Sequence, residues 1–199
     1  IMLSMVGMVA GALVDTIGIK RTLLFSVFFL LIARVSLTFV TNPWLLFIVG
    51  FVPFAIGFAI VSPVISVAIK RFTTKESAAL GFGLFYVIMN LAYAIGGIFF
   101  DKVRAAYSLH DEAGKIINDN AGATILGIHL STYQMLYLFV LIMTIGSLVF
   151  LFFIRGNVEL NDKGETIAKP VENHGSGLVA VKNAAAKTGK MLKSVISEK

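Results

Sequence analysis

Long apolar runs separated by short polar segments form the main pattern along the chain. Four of the runs reach, or nearly reach, the ~20 residues that a helix needs to cross ~30 Å of hydrocarbon. Three of them contain no charged residue, and the first contains only Arg34. The pattern therefore predicts four complete membrane-spanning helices, over residues 22–40, 44–69, 78–100 and 133–154.

A fifth apolar run, residues 1–14, is too short to cross a bilayer. Because this run begins at the first residue, which is Ile1 and not methionine, we expect it to be the later half of a helix whose first half is missing. Run 44–69 is longer than needed, since a straight helix of this length reaches about 39 Å. We expect it to tilt or to bend at Pro53 and Pro63, which lack a backbone N–H.

The composition agrees with a membrane protein. Hydrophobic residues make up 57% of the chain and charged residues 14%, against about 45–50% and about 25% in soluble domains. The absence of cysteine excludes disulfides, thiolate metal sites and cysteine nucleophiles, and the three histidines do not cluster. We therefore expect an all-α polytopic membrane bundle that is not an enzyme and has neither a cofactor nor a metal ion.

Lysine and arginine are distributed unevenly between the apolar runs. Loop 15–21 carries two, loop 70–77 carries three and the segment from 155 onward carries eight, whereas loop 41–43 carries none and loop 101–132 carries three. Cytoplasmic loops hold the excess of these residues, so we expect the first three segments, including the tail, on the cytoplasmic side. The net charge is +6, but the basic residues lie on either side of apolar runs and do not form one solvated patch. We therefore expect no nucleic-acid partner.

The first of these basic loops carries a distinctive motif. It reads Gly11-Ala12-Leu13-Val14-Asp15-Thr16-Ile17-Gly18-Ile19-Lys20-Arg21. Gly18 permits a tight turn, Asp15 can pair with a basic group or a helix N-terminus, and Lys20 and Arg21 can hold the next helix at the headgroups. On these grounds alone the segment could equally be an ordinary turn between two helices.

The motif resembles the signature loop of the major facilitator superfamily, which joins the second and third helices of a six-helix half. Thr16 and Ile19 stand where the family usually has basic residues. The positions that match the family pattern are Gly11, Leu13, Asp15, Gly18, Lys20 and Arg21.

The resemblance covers residues 1 to about 155 and implies an incomplete six-helix half, from the later part of helix two to helix six. A weaker placement is helices eight to twelve. The family fold implies a second half as partner, a site between the halves near the bilayer midplane, and transport of a small solute by alternating access, secondary active or facilitative. Under this resemblance Gly11, Asp15, Gly18, Lys20 and Arg21 form a gating loop. The alternative is a non-transporting receptor-like or scaffold protein of the same fold.

Polar side chains inside the apolar runs are the candidate contacts for a solute. Tyr86, Asn90 and Tyr93 are spaced i, i+4 and i+7, so one helix face presents two hydroxyls and an amide. Arg34 lies six residues before Val40, about 9 Å from that end of its run. We expect the Asn90 face either to line the solute path or to join helices, and Arg34 either to contact the solute or to snorkel to the headgroups.

Residues 156–199 differ in composition from the rest of the chain and are expected to form a cytoplasmic linker or tail. Within this segment, residues 178–196 place apolar side chains on one helical face and lysines on the other. Such a basic amphipathic helix suits an anionic membrane surface. The alternative is a mobile linker.

Overall fold

A computed structural model describes residues 14, 17–154, 158–161, 164–168 and 186 of the chain. Within these residues, four helices are long and apolar enough to cross a membrane. The predicted helical membrane bundle is confirmed. The helices are α1 (Ile19–Phe39), α2 (Pro43–Arg71), α3 (Ala78–Tyr107) and α4 (Thr132–Phe153).

Contacts within the chain group into two units, and every long helix contributes residues to both. The first, which we call the basic unit, comprises Ile1–Phe29, Ala55–Phe82 and Leu148–Lys199. The second, which we call the hairpin unit, comprises Leu30–Phe54 and Gly83–Ser147.

Small residues lie at the contacts between α1 and α2 in both units. In the basic unit, the Ser26 hydroxyl donates to the Gly57 carbonyl of α2 at 3.1 Å, and both residues are buried. In the hairpin unit, Gly50 of α2 brings the α2 backbone close to Leu37, since a Cβ at Gly50 would lie 3.6 Å from the Leu37 side chain. The small residues therefore allow close helix approach, as is common between helices in membranes.

The second helix is not uniform along its length. It begins as an α-helix over Pro43–Leu45, continues as a π-helix over Leu46–Phe51 and returns to α-helix over Val52–Arg71. Asn42 caps its start, because its side-chain oxygen accepts hydrogen bonds from the backbone N–H groups of the first turn at 3.0 and 3.2 Å. The π-helix ends at Phe51, two residues before Pro53, and both features are recognised causes of helix bending. The bend at Pro53 and Pro63 stays a prediction.

The third helix extends beyond its apolar run. It continues to Tyr107 through charged residues, so the connection to α4 begins at Ser108 and not at residue 101 as expected. That connection contains two antiparallel hairpins, which the sequence analysis did not predict. Their strands are β1 (Leu109–His110) with β2 (Ile116–Asn118), and β3 (Ala123–Ile125) with β4 (Ile128–Leu130).

A small cluster of hydrogen bonds fastens the end of α3 to the start of α4. The Gly122 N–H lies 3.0 Å from the Tyr107 carbonyl and 3.1 Å from the Thr132 hydroxyl, which itself donates to the same carbonyl at 3.1 Å. Gly122 has φ of +72°, and a Cβ there would collide with backbone atoms of Leu130 and Ser131. Only glycine fits this position. We call this group of three residues, Tyr107, Gly122 and Thr132, the clasp.

The segment after α4 contains one further antiparallel hairpin, formed by β5 (Val158–Leu160) and β6 (Thr166–Ala168). It falls in the part of the chain expected to be a linker. The amphipathic helix predicted over 178–196 lies outside the described residues, apart from Ala186, which is helical. The predicted half-helix over residues 1–14 also lies outside them, apart from Val14.

Candidate functional site

The glycine of the loop motif breaks the helix at the position where the sequence predicts a turn. Gly18 has φ of +85°, a conformation that residues with a Cβ adopt at a cost. Its N–H donates to the Val14 carbonyl at 2.9 Å, and its own carbonyl accepts from the backbone and hydroxyl of Thr22 at 3.1 and 2.8 Å. Gly18 therefore joins the preceding helical residues to the first turn of α1.

Lys20, at the start of α1, contacts the C-terminal end of α4 within the basic unit. Its Nζ donates to the Phe152 carbonyl at 2.8 Å and lies 5.9 Å from the centroid of the Phe152 ring. The carbonyls in the last turn of a helix lack intrahelical donors, and Phe152 is the residue before the end of α4. Lys20 thus satisfies the C-terminus of α4 with a positive charge, which the helix dipole favours.

Of the other three gating-loop residues, only Arg21 is among the described residues. Arg21 is exposed and makes no hydrogen bond or ion pair with a described residue. Gly11 and Asp15 lie outside the described residues. The gating role that the resemblance implies for the motif stays a prediction.

The three polar residues of α3 share an exposed face. Tyr86 is 56% exposed and Tyr93 68% exposed, and Asn90 is exposed between them. The Asn90 Nδ2 donates to the Tyr86 carbonyl at 2.9 Å, one turn earlier in the same helix. A carboxamide has two N–H donors and an oxygen acceptor, so one donor and the oxygen of Asn90 find no partner among the described residues.

Arg34 of α1 contacts an aromatic ring of α2, and the choice between solute contact and snorkelling stays open. Its guanidinium carbon lies 5.1 Å from the centroid of the Phe54 ring. Phe54 is eleven residues along α2 from Pro43, which corresponds to about 16 Å of helix. Trp44, 80% exposed at the start of α2, is typical of a residue at the membrane interface.

The charge of Arg34 has no counter-charge among the described residues. Its Nε is enclosed without a hydrogen-bond partner, and no described carboxylate pairs with it. A cation–π contact contributes about 0.5–2 kcal/mol, whereas an arginine at the centre of a membrane helix costs about 2.5–3.5 kcal/mol. In hydrocarbon, the contact with Phe54 would therefore offset only part of the cost of this charge.

A groove of about 710 Å³ lies between α3 and α4 within the hairpin unit. Phe99 and Phe139 stack in it with ring centroids 3.9 Å apart. The lining residue Tyr133 donates its hydroxyl to Asp119 at 3.1 Å, and Asp119 also pairs with Arg104 at 3.2 Å. The groove is lined by Ala92, Ile95, Gly96, Phe99, Phe100, Tyr133, Leu136, Tyr137, Phe139, Val140 and Met143.

The predicted site residues do not converge on one point in the structure. Tyr86, Asn90 and Tyr93 stay together on α3, whereas Arg34 contacts α2 and Lys20 contacts α4. Two partners, Phe54 and Phe152, are not predicted by the sequence. Neither carries a sequence signal of its own in a chain with 17 phenylalanines.

Comparison with known proteins identifies the family. The model for the Major Facilitator Superfamily matches residues 1–195. No curated protein and no solved structure gave a significant match. Members of this family are membrane transporters and not enzymes, and the four apolar helices agree with an integral, multi-pass membrane protein. The match covers almost the whole chain, so the chain belongs to the major facilitator superfamily of membrane transporters.

Proposed function

We propose that the protein moves a small solute across a membrane by alternating access, as a secondary active or facilitative transporter. The observation that carries the proposal is Asn90, a partly unsatisfied amide on an exposed face of a helix that is long enough to span the bilayer. In hydrocarbon, an unpaired polar group costs several kcal/mol. This face of α3 is therefore turned to a wet path or to another part of the protein, and not to lipid.

The same face offers room for a neighbour. A Cβ added at Gly96 or Gly97, on the turn after Tyr93, would meet nothing within 4 Å. α3 has no buried residue along its length. In our proposal a second half of the transporter lies across from this face, and the solute binds between the two.

The loop motif supplies the gate in this proposal. Lys20 fastens the first turn of α1 to the C-terminus of α4 at 2.8 Å, and such a contact is suited to form in one transport state and break in another. The excess of lysine and arginine in loops 15–21 and 70–77 and in the tail supports a cytoplasmic location for this gate and for the tail.

Solute access to the Asn90 face can be tested by cysteine labelling. The chain contains no natural cysteine, so single cysteines at positions 86, 90 and 93 of the full-length protein report their own accessibility to a small cationic methanethiosulfonate reagent. We expect position 90 to react in at least one transport state. A position 90 that is protected in every state would favour Asn90 as a contact between helices.

Replacing Asn90 tests the role in binding. Loss of a hydrogen bond to the solute costs roughly 1–3 kcal/mol, which raises the half-saturation concentration about 5- to 150-fold. We expect this of Asn90→Leu in counterflow assays of labelled small solutes in proteoliposomes. The control is Met89→Leu, next in sequence and half-buried on another face, which should change little. Normal transport by Asn90→Leu, or no transport of any solute by the wild type, would contradict the proposal.

A further inference from the structure

We propose that the hairpin of β3 and β4 lies against the bilayer surface, with the apolar side chains of its tip inserted between the lipids. The tip is the two-residue turn Leu126-Gly127, which joins the paired residues Ile125 and Ile128. Both turn residues have positive φ, +50° at Leu126 and +81° at Gly127, as in a type I′ turn, whose first position favours asparagine, aspartate or glycine. Leu126 adopts this conformation at a cost, and it is 97% exposed. The protein therefore holds an apolar side chain in a strained position in which no described part of the chain buries it.

The hairpin has one apolar and one polar face. Side chains alternate between the two faces along a strand, and the members of a cross-strand pair share a face. The apolar face starts at Leu130, which is buried beside Gly122 of the clasp, and becomes exposed towards the tip. An element with two such faces suits the boundary between water and lipid. The apolar face carries the pairs Ala123 with Leu130 and Ile125 with Ile128, and the polar face carries Thr124 with His129.

The attachment of the hairpin places it at the end of a membrane helix. Thr132 of the clasp is the first residue of α4, which is long and apolar enough to cross a membrane. Gly122, also in the clasp, directly precedes β3. Leu126 is four residues from Gly122, so it lies at most about 14 Å away. The apolar face of the hairpin is thus continuous with the point at which the apolar surface of α4 begins, and this continuity favours lipid as the partner.

The first hairpin of the same connection differs in its charge. Its turn carries Asp111, Glu112 and Lys115, and the Asp111 side chain accepts hydrogen bonds from backbone N–H groups of the turn at 3.0 and 2.7 Å. Such a turn is suited to water. Residues 120–131, which contain the second hairpin, include no aspartate, glutamate, lysine or arginine. No formal charge therefore has to be desolvated when the tip of the second hairpin enters the lipid surface.

Spin labelling locates the tip. The chain contains no natural cysteine, so Leu126→Cys carries a single nitroxide in a full-length protein that is otherwise free of cysteine, in phosphatidylcholine nanodiscs. Oxygen concentrates in lipid and a nickel chelate stays in water. We expect the ratio of their collision rates, oxygen over nickel chelate, to be several-fold higher than for the control Glu112→Cys, at an exposed position in the charged turn.

Two results of this experiment would overturn the proposal. An equal or lower ratio at position 126 would place the tip in water. A label that is protected from both reagents would show that protein covers the tip, either another part of the transporter or a second copy.

A matched pair of substitutions tests the same contact through stability. Asparagine and aspartate both tolerate the left-handed conformation and are similar in size, so Leu126→Asn and Leu126→Asp differ mainly in charge. If lipid surrounds the tip, Leu126→Asp should have the lower unfolding midpoint in nanodiscs, because a charge is harder to place among lipids than an amide. High salt in the buffer screens repulsion from other acidic residues.

The control pair is Ala113→Asn and Ala113→Asp, at an exposed position in the turn of the first hairpin. These two variants should have equal midpoints. Equal midpoints for the pair at position 126 as well, or a higher midpoint for Leu126→Asp, would overturn the proposal.

Discussion

The contact between Lys20 and α4 makes a quantitative prediction about the motif loop. Lys20→Met keeps an unbranched apolar side chain of similar length and removes the Nζ that lies 2.8 Å from the Phe152 carbonyl. The hydrogen bond is exposed, so its contribution is set by the range for charges at helix ends, about 0.3–1 kcal/mol, and not by the larger range for enclosed charged hydrogen bonds. A loss of about 0.3–1 kcal/mol shifts the balance between contact formed and contact broken about 2- to 5-fold.

Hydrogen exchange of the full-length protein, followed by mass spectrometry, measures this shift. Peptides that cover the end of α4 should exchange about 2- to 5-fold faster in Lys20→Met when exchange is limited by the opening equilibrium. The difference should shrink at high salt, because the contact is exposed. Peptides from the middle of α3 should not change.

Arg21 provides the matched control, since it is the neighbouring positive charge and makes no bond to a described residue. Arg21→Met should leave exchange at the end of α4 near the wild-type rate. An equal acceleration in both variants would mean that net charge and not the contact matters. No acceleration in Lys20→Met would refute the reasoning.

Two further predictions concern stability. Gly122→Ala should lower the free energy of unfolding by about 2–4 kcal/mol, because the methyl group meets the backbone ahead of α4 in addition to the left-handed penalty, whereas Gly114→Ala, with φ of +78° and open space around it, should cost about 1 kcal/mol. Thermal unfolding and limited proteolysis of the connection measure the stability of both variants, and equal losses of stability would contradict the role of the clasp. The second prediction compares two serines of α1. Ser26→Ala should lower the free energy of unfolding by about 0.6–1.7 kcal/mol because its bond to Gly57 is lost, whereas Ser36→Ala should change it very little, since the Ser36 hydroxyl bonds only within its own helix. Unfolding in mixed micelles would show the difference, and equal effects would count against an interhelical role for Ser26.

Hydropathy predicted the helices better than it predicted their ends. Run 78–100 marks the part of α3 that suits hydrocarbon, but Asp101, Lys102 and Arg104 are compatible with helix, so α3 continues to Tyr107. The hairpins that follow have strands of two or three residues, which is too short for an alternating pattern to be visible. The π-helix before Pro53 depends on backbone hydrogen-bond register, which the hydrophobic pattern does not record.

The candidate site shows a similar limit. Spacing alone placed Tyr86, Asn90 and Tyr93 on one helix face, because that face depends only on the helical repeat. The face of α1 on which Arg34 lies could be derived from the same repeat. Its partner Phe54 could not, because the pairing depends on how α1 and α2 pack.

The clasp of Tyr107, Gly122 and Thr132 joins α3 and α4 at one end. The end of α3 and the start of α4 are held within hydrogen-bonding distance of one another. We therefore expect the groove between them to change its width mainly at points away from the clasp. For the groove to widen along its whole length, the stacked rings of Phe99 and Phe139 would have to separate.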